Sequence, residues 1–197
     1  MNNRESITLC IALLIISGTF AQDSTLIIKQ KPWYRPDYAT IQFAGNIGFL
    51  SLGIGYQFFN NRINSEILYG FVPASISKAE NINTITFKNT FPIINKKHKT
   101  VITSPITGFA VSYETGNNSF VKLPDKYPDD YYRTNAFHFT FFVGAKAHKD
   151  FTKPIIIKGI DFYFEIGSVD TYLWYAMSQK INPRKIFSLS VGVNLYF

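Results

Sequence analysis

The sequence has little cysteine and little charge. Its single cysteine, Cys10, lies in a short apolar stretch near the amino terminus. If that stretch is removed after export, the remaining chain has no thiol for a disulfide, a metal site or nucleophilic catalysis. Charged residues make up 17% of the chain, against roughly 25% in an average soluble domain. This low charge indicates a protein whose surface does not depend on charged side chains for solvation.

Long apolar runs are also missing. No segment after residue 21 reaches the roughly 18 consecutive apolar residues of a transmembrane helix. Residues 1–21 have the pattern of a cleavable signal peptide, with Arg4 near the start, apolar residues at 7–16 and small residues leading to cleavage after Ala21. Because residues 7–16 are only about half the length that crosses a bilayer, retention as an anchor is the less favoured alternative. Cys10 lies inside the apolar stretch instead of at its end, which argues against a lipoprotein.

Motifs for cofactors are absent as well. The sequence has no glycine-rich phosphate loop, no zinc-ligand spacing and no nucleic-acid-binding motif. His138 and His148 are ten residues apart in one expected strand, about 33 Å along it, so they do not predict a metal site. We therefore predict no cofactor and no metal. The net charge of +7 suits an anionic partner, but in an exported chain it does not predict nucleic-acid binding.

What the sequence does contain is alternation with a period of two. Residues 187–197 show it most clearly, because every second side chain is apolar and the others are small or polar without charge. The apolar positions are Phe187, Leu189, Val191, Val193, Leu195 and Phe197. A period of two is that of a β-strand. This strand presents one face to hydrocarbon and the other to a packed interior.

The same alternation recurs along the chain and predicts eight strands. They cover residues 41–49, 50–58, 63–72, 82–91, 102–114, 136–148, 157–169 and 187–197. The phase changes between residues 49 and 50, which favours a tight turn near Gly48, with one long bulged strand over 41–58 as the alternative. Pro105 interrupts the fifth strand and predicts a bulge or a late start there.

The predicted connections alternate between short and long after the second strand, and the longest cover residues 115–135 and 170–185. This is the arrangement of a barrel with tight turns at one end and long loops at the other. We predict an all-β protein with an eight-stranded antiparallel up-and-down transmembrane β-barrel. Its expected parts are a signal peptide (1–21), a proline- and aromatic-containing periplasmic arm (22–38) and the barrel (39–197).

A secreted soluble barrel of lipocalin type is the structural alternative, because alternation alone does not say which face is wet. A soluble barrel exposes a charged face. Here the apolar faces are rich in phenylalanine and free of charge, and the opposite faces carry mainly glycine, serine, threonine and asparagine. The charge distribution therefore favours the membrane barrel.

With this signal segment, these alternating segments and a final strand ending in Phe197, the chain resembles the small eight-stranded outer-membrane barrels of Gram-negative bacteria. The resemblance implies location in the cell outer membrane, contact with outer-membrane lipid and lipopolysaccharide, and recognition of the terminal strand, through Phe197, by the barrel-assembly machinery. Six basic residues in the expected outer loops are suited to contact lipopolysaccharide phosphates, with simple solubility as the favoured interpretation. They are Lys122, Lys126, Arg133, Lys180, Arg184 and Lys185.

One set of inward positions has the ingredients of acyl transfer. If strands 136–148 and 157–169 form a hairpin around residues 149–154, Thr140 faces Glu165 and Gly144 faces Asp161. His138 is then diagonal to Glu165, Lys146 is diagonal to Asp161, and Ser188 lies near Glu165 across the last loop. A hydroxyl, an imidazole and a carboxylate together are typical of a hydrolase site.

The spacing His138-Phe139-Thr140, with a glutamate on the next strand, is similar to that of outer-membrane lipid A 3-O-deacylases, which use a His-x-Ser pair and a Glu. Thr140 stands in place of the serine, and the alternation directs these side chains into the lumen. The simpler interpretation is a hydrogen-bond network that satisfies buried polar groups, with Glu66 and Lys88 also seeking partners across neighbouring strands. We therefore predict a non-enzymatic outer-membrane barrel whose loops serve envelope stability or surface interaction. A lipid A-modifying acyl hydrolase is the alternative.

Overall fold

The structure, a computed structural model, describes residues 32–78, 80–115, 136–153, 156–170 and 186–197. The predicted signal peptide, most of the predicted arm and the predicted loops at 116–135 and 171–185 lie outside these ranges. Contacts divide the chain into the units Met1–Trp33 and Tyr34–Phe197, and the barrel belongs to the second. Residues 32–37 contain no strand, and the first strand begins at Tyr38, within the predicted arm.

The described chain forms nine strands and one helical turn, α1 (Ala74–Ser77). The strands are β1 (Tyr38–Ala44), β2 (Leu50–Phe58), β3 (Ile63–Val72), β4 (Ile82–Pro92), β5 (Lys96–His98), β6 (Val101–Thr115), β7 (Phe137–Asp150), β8 (Gly159–Val169) and β9 (Ser188–Tyr196). Each pairs antiparallel with its neighbours, β9 pairs with β1, and β4 pairs with β6. Because β5 continues the line of β4 along β6, the sheet is a closed eight-stranded up-and-down barrel, as predicted.

Alternation along each strand separates a polar interior from an apolar exterior. In β3, Asn64, Glu66 and Leu68 are buried, whereas Ile67 between them is 56% exposed. The same alternation continues in the other long strands. This is the reverse of a water-soluble fold, where large apolar side chains are buried and charges are exposed.

The predicted two-strand arrangement at residues 41–58 is confirmed, because Phe43 pairs with Leu50 across a turn. Ala44 and Gly45 adopt positive φ values of 61° and 87°, and the turn folds into the barrel. Ile47 is 4% exposed and packs with Leu68 and Ala110. We call residues 45–48 the plug turn, since they fill the lumen at this end.

The predicted late start at Pro105 is wrong, and the predicted bulge is found on one side of β6 only, where its pairing with β4 and β5 is interrupted. The strand runs from Val101 to Thr115, and Pro105 pairs with Ala145 in an unbroken ladder with β7. The irregularity lies in the partner, because the four-residue step from Pro92 to Lys96 faces the three-residue step from Ile106 to Thr103. Proline has no N–H to donate, so it fits opposite this break.

The two ends of the barrel differ in their connections. One end carries Tyr38, Tyr196 and the connections 59–62, 99–100 and 151–158, and we call it the turn end. The other, which we call the loop end, carries the plug turn and the connection 73–81, together with the links between β6 and β7 and between β8 and β9. The alternation of short and longer connections is therefore as predicted. Among the described residues, no helix has the length and apolarity needed to cross a bilayer.

Candidate functional site

The interior of the barrel is lined by polar side chains that the alternation places on the inward face of every long strand. The inward-facing buried residues include Thr40, Gln42, Ser51, Asn64, Glu66, Thr86, Lys88, Ser112, Asp161, Glu165, Ser190 and Asn194. Buried polar groups are stable only when they are hydrogen-bonded, and buried charges only when they are paired. The contacts within this lumen therefore decide what it can do.

Lys88 lies at the centre of the network and is only 1% exposed. Its Nζ lies 2.8 Å from Glu165 Oε1 and donates a hydrogen bond of 3.0 Å to Gln42 Oε1. The ammonium also lies 5.0 Å from the ring centre of Phe142 and 4.6 Å from that of Tyr163. These contacts join β4 to β1, β7 and β8 across the lumen, and the two rings add cation–π attraction to the ion pair.

Both buried glutamates have further partners. Ser190 Oγ donates to Glu165 Oε2 over 3.3 Å, and the hydroxyl of Tyr38 donates to Glu66 Oε1 over 3.0 Å. Glu66 faces Lys88 directly in the pairing of β3 with β4. We predict partners for Glu66 and Lys88 across neighbouring strands; among the described residues the ion pair of Lys88 is instead with Glu165 on β8, which is not a neighbour of β4.

A second charged cluster lies nearer the turn end, centred on the fully buried Asp161. Its Oδ1 lies 2.5 Å from His148 Nδ1, and its Oδ2 accepts a hydrogen bond of 2.7 Å from Tyr196 and lies 3.4 Å from Lys146 Nζ. His148 Nε2 lies 3.0 Å from Asp150 Oδ1. The predicted contact between Lys146 and Asp161 is confirmed.

This cluster forms part of the wall of a polar cavity of about 240 Å³ that Asn95 and Ser104 also line. In the described part of the chain, no group of three or more His, Cys, Asp or Glu residues is arranged to hold a metal ion. His148 and Tyr196 were not among the sequence-predicted site residues. The alternation predicts that both side chains face the lumen. Only the strand register shows that they contact Asp161.

The predicted register between β7 and β8 is wrong by four residues. Thr140 pairs with Val169, Gly144 with Glu165 and His148 with Asp161. The observed pairs are symmetric about a point between residues 154 and 155, whereas the predicted pairs are symmetric about a point between residues 152 and 153, so the centre of the hairpin moves by two residues. Each residue by which a turn moves along the chain changes the pairing by two. Because the error is even, the inward and outward faces are still as predicted.

The four predicted site residues are only partly brought together. Glu165 is held by Lys88 and Ser190, as described above. Ser188 Oγ donates to Asn46 Oδ1 over 2.6 Å, so the predicted contact of Ser188 with Glu165 is wrong, and Ser190 takes that place.

Thr140, Glu165 and Ser188 nevertheless line one inner cavity of about 20 Å³. Thr140 Oγ1 is buried there, and no hydrogen-bond partner for it lies in the described part of the chain. His138 pairs with Glu114 instead, at 3.6 Å between Nε2 and Oε2.

This geometry differs from a nucleophile–base pair in two respects. The imidazole of His138 pairs with Glu114 and not with Glu165, and the carboxylate of Glu165 forms an ion pair with Lys88. A cavity of about 20 Å³ has room for about one water molecule. Glu165 is paired in this arrangement, whereas Thr140 Oγ1 is not, and within the described residues the cavity beside them is too small for an acyl chain.

A scan against family models, a search of curated proteins and a search of solved structures each found no match to this chain.

Proposed function

We propose that this protein is a non-enzymatic integral outer-membrane barrel of a Gram-negative bacterium whose surface loops serve envelope stability or interaction. The observation that carries the proposal is the apolar exterior. Large side chains such as Leu52, Ile67, Val143, Phe141 and Phe162 are more than half exposed on the outward face of the strands. An exposed apolar surface of this extent is stable in hydrocarbon and promotes aggregation in water.

The few polar groups on the exterior support the same proposal. Ser65 donates to Asn89 over 2.7 Å, and Tyr69 donates to Asn83 over 2.6 Å. In a bilayer, a polar group must find its partner within the protein, because no water is present in the hydrocarbon core. These pairs meet that requirement on the outer face itself.

The filled lumen supports a role other than solute transport. The ion pair of Lys88 with Glu165 crosses the interior, and the plug turn fills the loop end. Eight strands enclose an interior that side chains fill. The surface that remains for interaction consists of the connections, of which those after β6 and β8 are the longest.

Fractionation of cells that produce the full chain tests the membrane location. We expect the protein in the outer-membrane fraction, extracted only by detergent, and migrating differently on gels before and after boiling. A protein that stays soluble after export, with the same migration in both samples, would overturn the proposal.

Mass spectrometry of lipid A tests the non-enzymatic part. We expect the same acylation pattern in cells with the wild-type protein, with Glu165→Gln and without the protein. A pattern that loses an acyl chain only with the wild type would contradict this expectation and favour the acyl hydrolase.

A further inference from the structure

Each connection at the turn end combines exposed basic side chains with exposed apolar ones. The turn 59–62 carries Phe59 and Arg62, and Phe59 is 74% exposed. The connection between β4 and β6 carries Ile93 and Ile94 next to a lysine-rich segment, and that between β7 and β8 carries Phe151 and Ile156 between lysines. This repeated pairing of charge and apolar surface characterises the whole end.

We call six of the exposed basic residues at this end the basic rim. They are Arg62, Lys96, Lys99, Lys149, Lys153 and Lys158. Among the described residues, none of the six forms an ion pair. Of the acidic side chains nearby, Asp37 accepts a hydrogen bond from the Gln57 amide, and Asp150 lies beside His148. The turn end therefore carries an excess of positive charge.

The outward position of two rim lysines, beside the apolar exterior, favours a lipid surface as the partner. Lys149 lies on the outward face of β7, two residues beyond Ala147 and next to the apolar exterior of the strands. Lys96 pairs with Thr103 on the outward face of β6. Long basic side chains at the edge of an apolar surface extend their charged ends to the headgroup layer while their methylene stems stay in apolar surroundings.

We propose that the basic rim binds the phosphate headgroups of anionic phospholipids in the leaflet next to the turn end. This rests on the proposed function, since it requires the barrel to lie in a bilayer. A basic residue close to an anionic membrane contributes about 1 kcal/mol to attraction, and salt screens that attraction. The rim also has exposed apolar neighbours, such as Ile156, which is 59% exposed. A lipid surface can bury these side chains, whereas a soluble polyanion cannot, so they favour the lipid as the partner.

The test reconstitutes the full chain in vesicles of equimolar phosphatidylcholine and phosphatidylglycerol and measures which lipid stays bound after mild detergent extraction. We expect the wild type to retain phosphatidylglycerol preferentially. A variant with Lys96, Lys99, Lys149 and Lys153 all changed to Gln is expected to lose about tenfold or more of this preference. The matched control changes the same four lysines to Arg, which keeps the positive charge at each position, and is expected to keep the preference.

Equal retention of the two lipids by the wild type would overturn the proposal, and so would an equal loss of preference in both variants. Preferential binding of peptidoglycan fragments by the detergent-solubilised wild type, without lipid preference, would assign the rim to a polymer instead. Heat-modifiable migration in pure phosphatidylcholine separates the two proposals, because a wild type that never folds in lipid refutes the membrane barrel itself. If the rim variant does not fold, a wild-type preference unchanged by rising NaCl overturns the proposal.

Discussion

Lys88 shows how a single residue in this lumen holds several strands together. Its ammonium is shared between the carboxylate of Glu165 and the amide oxygen of Gln42. Removing two charges from water carries a penalty that their attraction offsets only with good geometry and further hydrogen bonds. Here Ser190 and the ring of Tyr163 supply those additional contacts. The pair is therefore tolerated because it is complete, and it is sensitive to losing either member.

Replacing Lys88 with Met is expected to lower the free energy of unfolding by about 3 kcal/mol, because it leaves Glu165 buried without its partner. The measurement is chemical unfolding of the refolded barrel in phosphatidylcholine vesicles. The double variant Lys88→Met/Glu165→Gln removes both charges and is expected to recover part of the loss. Lys78→Met, at an exposed position, serves as the control and is expected to change stability by no more than about 0.5 kcal/mol. A single variant as stable as the wild type would show that the ion pair contributes nothing.

Neighbouring strands are also fixed by the fit of tyrosine rings over glycines. Tyr38 pairs with Gly55 across β1 and β2, and Tyr163 pairs with Gly192 across β8 and β9. A Cβ atom on either glycine would overlap the ring of its tyrosine. Each ring therefore occupies the space that the missing side chain leaves, which favours this register over one shifted by two residues.

The change Gly192→Ala is expected to destabilise the barrel by about 1–3 kcal/mol, since the methyl group forces the Tyr163 ring out of place. Unfolding in vesicles measures the effect. The same change made in a Tyr163→Leu background is expected to be less harmful, because the ring is no longer there to clash. If alanine has the same effect in both backgrounds, backbone conformation and not the ring explains the glycine.

One residue of the plug turn, Ile47, is buried in the lumen. Ile47 packs with Leu68 and Ala110, and its carbonyl accepts a hydrogen bond from Thr84. Ile47→Ala is expected to reduce the free energy of unfolding by about 2 kcal/mol or more. Ile76→Ala, on the exposed helical turn α1, removes the same atoms at the surface and is expected to have an effect within about 0.5 kcal/mol. Equal effects of the two variants would show that the plug turn is not packed in the lumen.

For the strands and turns, the sequence predicts which face of each strand points inward. It does not predict the strand register or the direction of the plug turn. The inward and outward faces of β3 and β9 follow from period-two alternation, because apolar residues on one face alternate with polar or small residues on the other. Partners such as His148 and Asp161 depend on register, and register depends on the exact centre of the connection 151–158. The direction of the plug turn depends on contacts with Leu68 and Ala110, which are distant in sequence. Local pattern contains neither kind of information.

At the scale of the molecule, three surfaces have different chemistry. The exterior of the strands is apolar, the lumen is polar and internally paired, and the turn end carries the basic rim. Charge is thus kept inside or at the edge, and the middle of the exterior is free of it. This distribution supports the membrane proposal more directly than composition does, because a chain of low charge is also compatible with a soluble barrel.

A charge introduced at mid-height of the exterior distinguishes the two environments. Phe164 is exposed on the outward face of β8, next to the lumenal Glu165 near the middle of the barrel. In a bilayer, Phe164→Arg is expected to lower the free energy of unfolding by about 2–4 kcal/mol, and Ile156→Arg, at the turn end, by about 0–1 kcal/mol. In a soluble barrel both positions face water, and both changes would stay within about 0.5 kcal/mol. Unfolding of both variants in phosphatidylcholine vesicles measures the difference. A large penalty at Phe164 with a small one at Ile156 requires a hydrocarbon environment at mid-height, whereas two negligible penalties would contradict it.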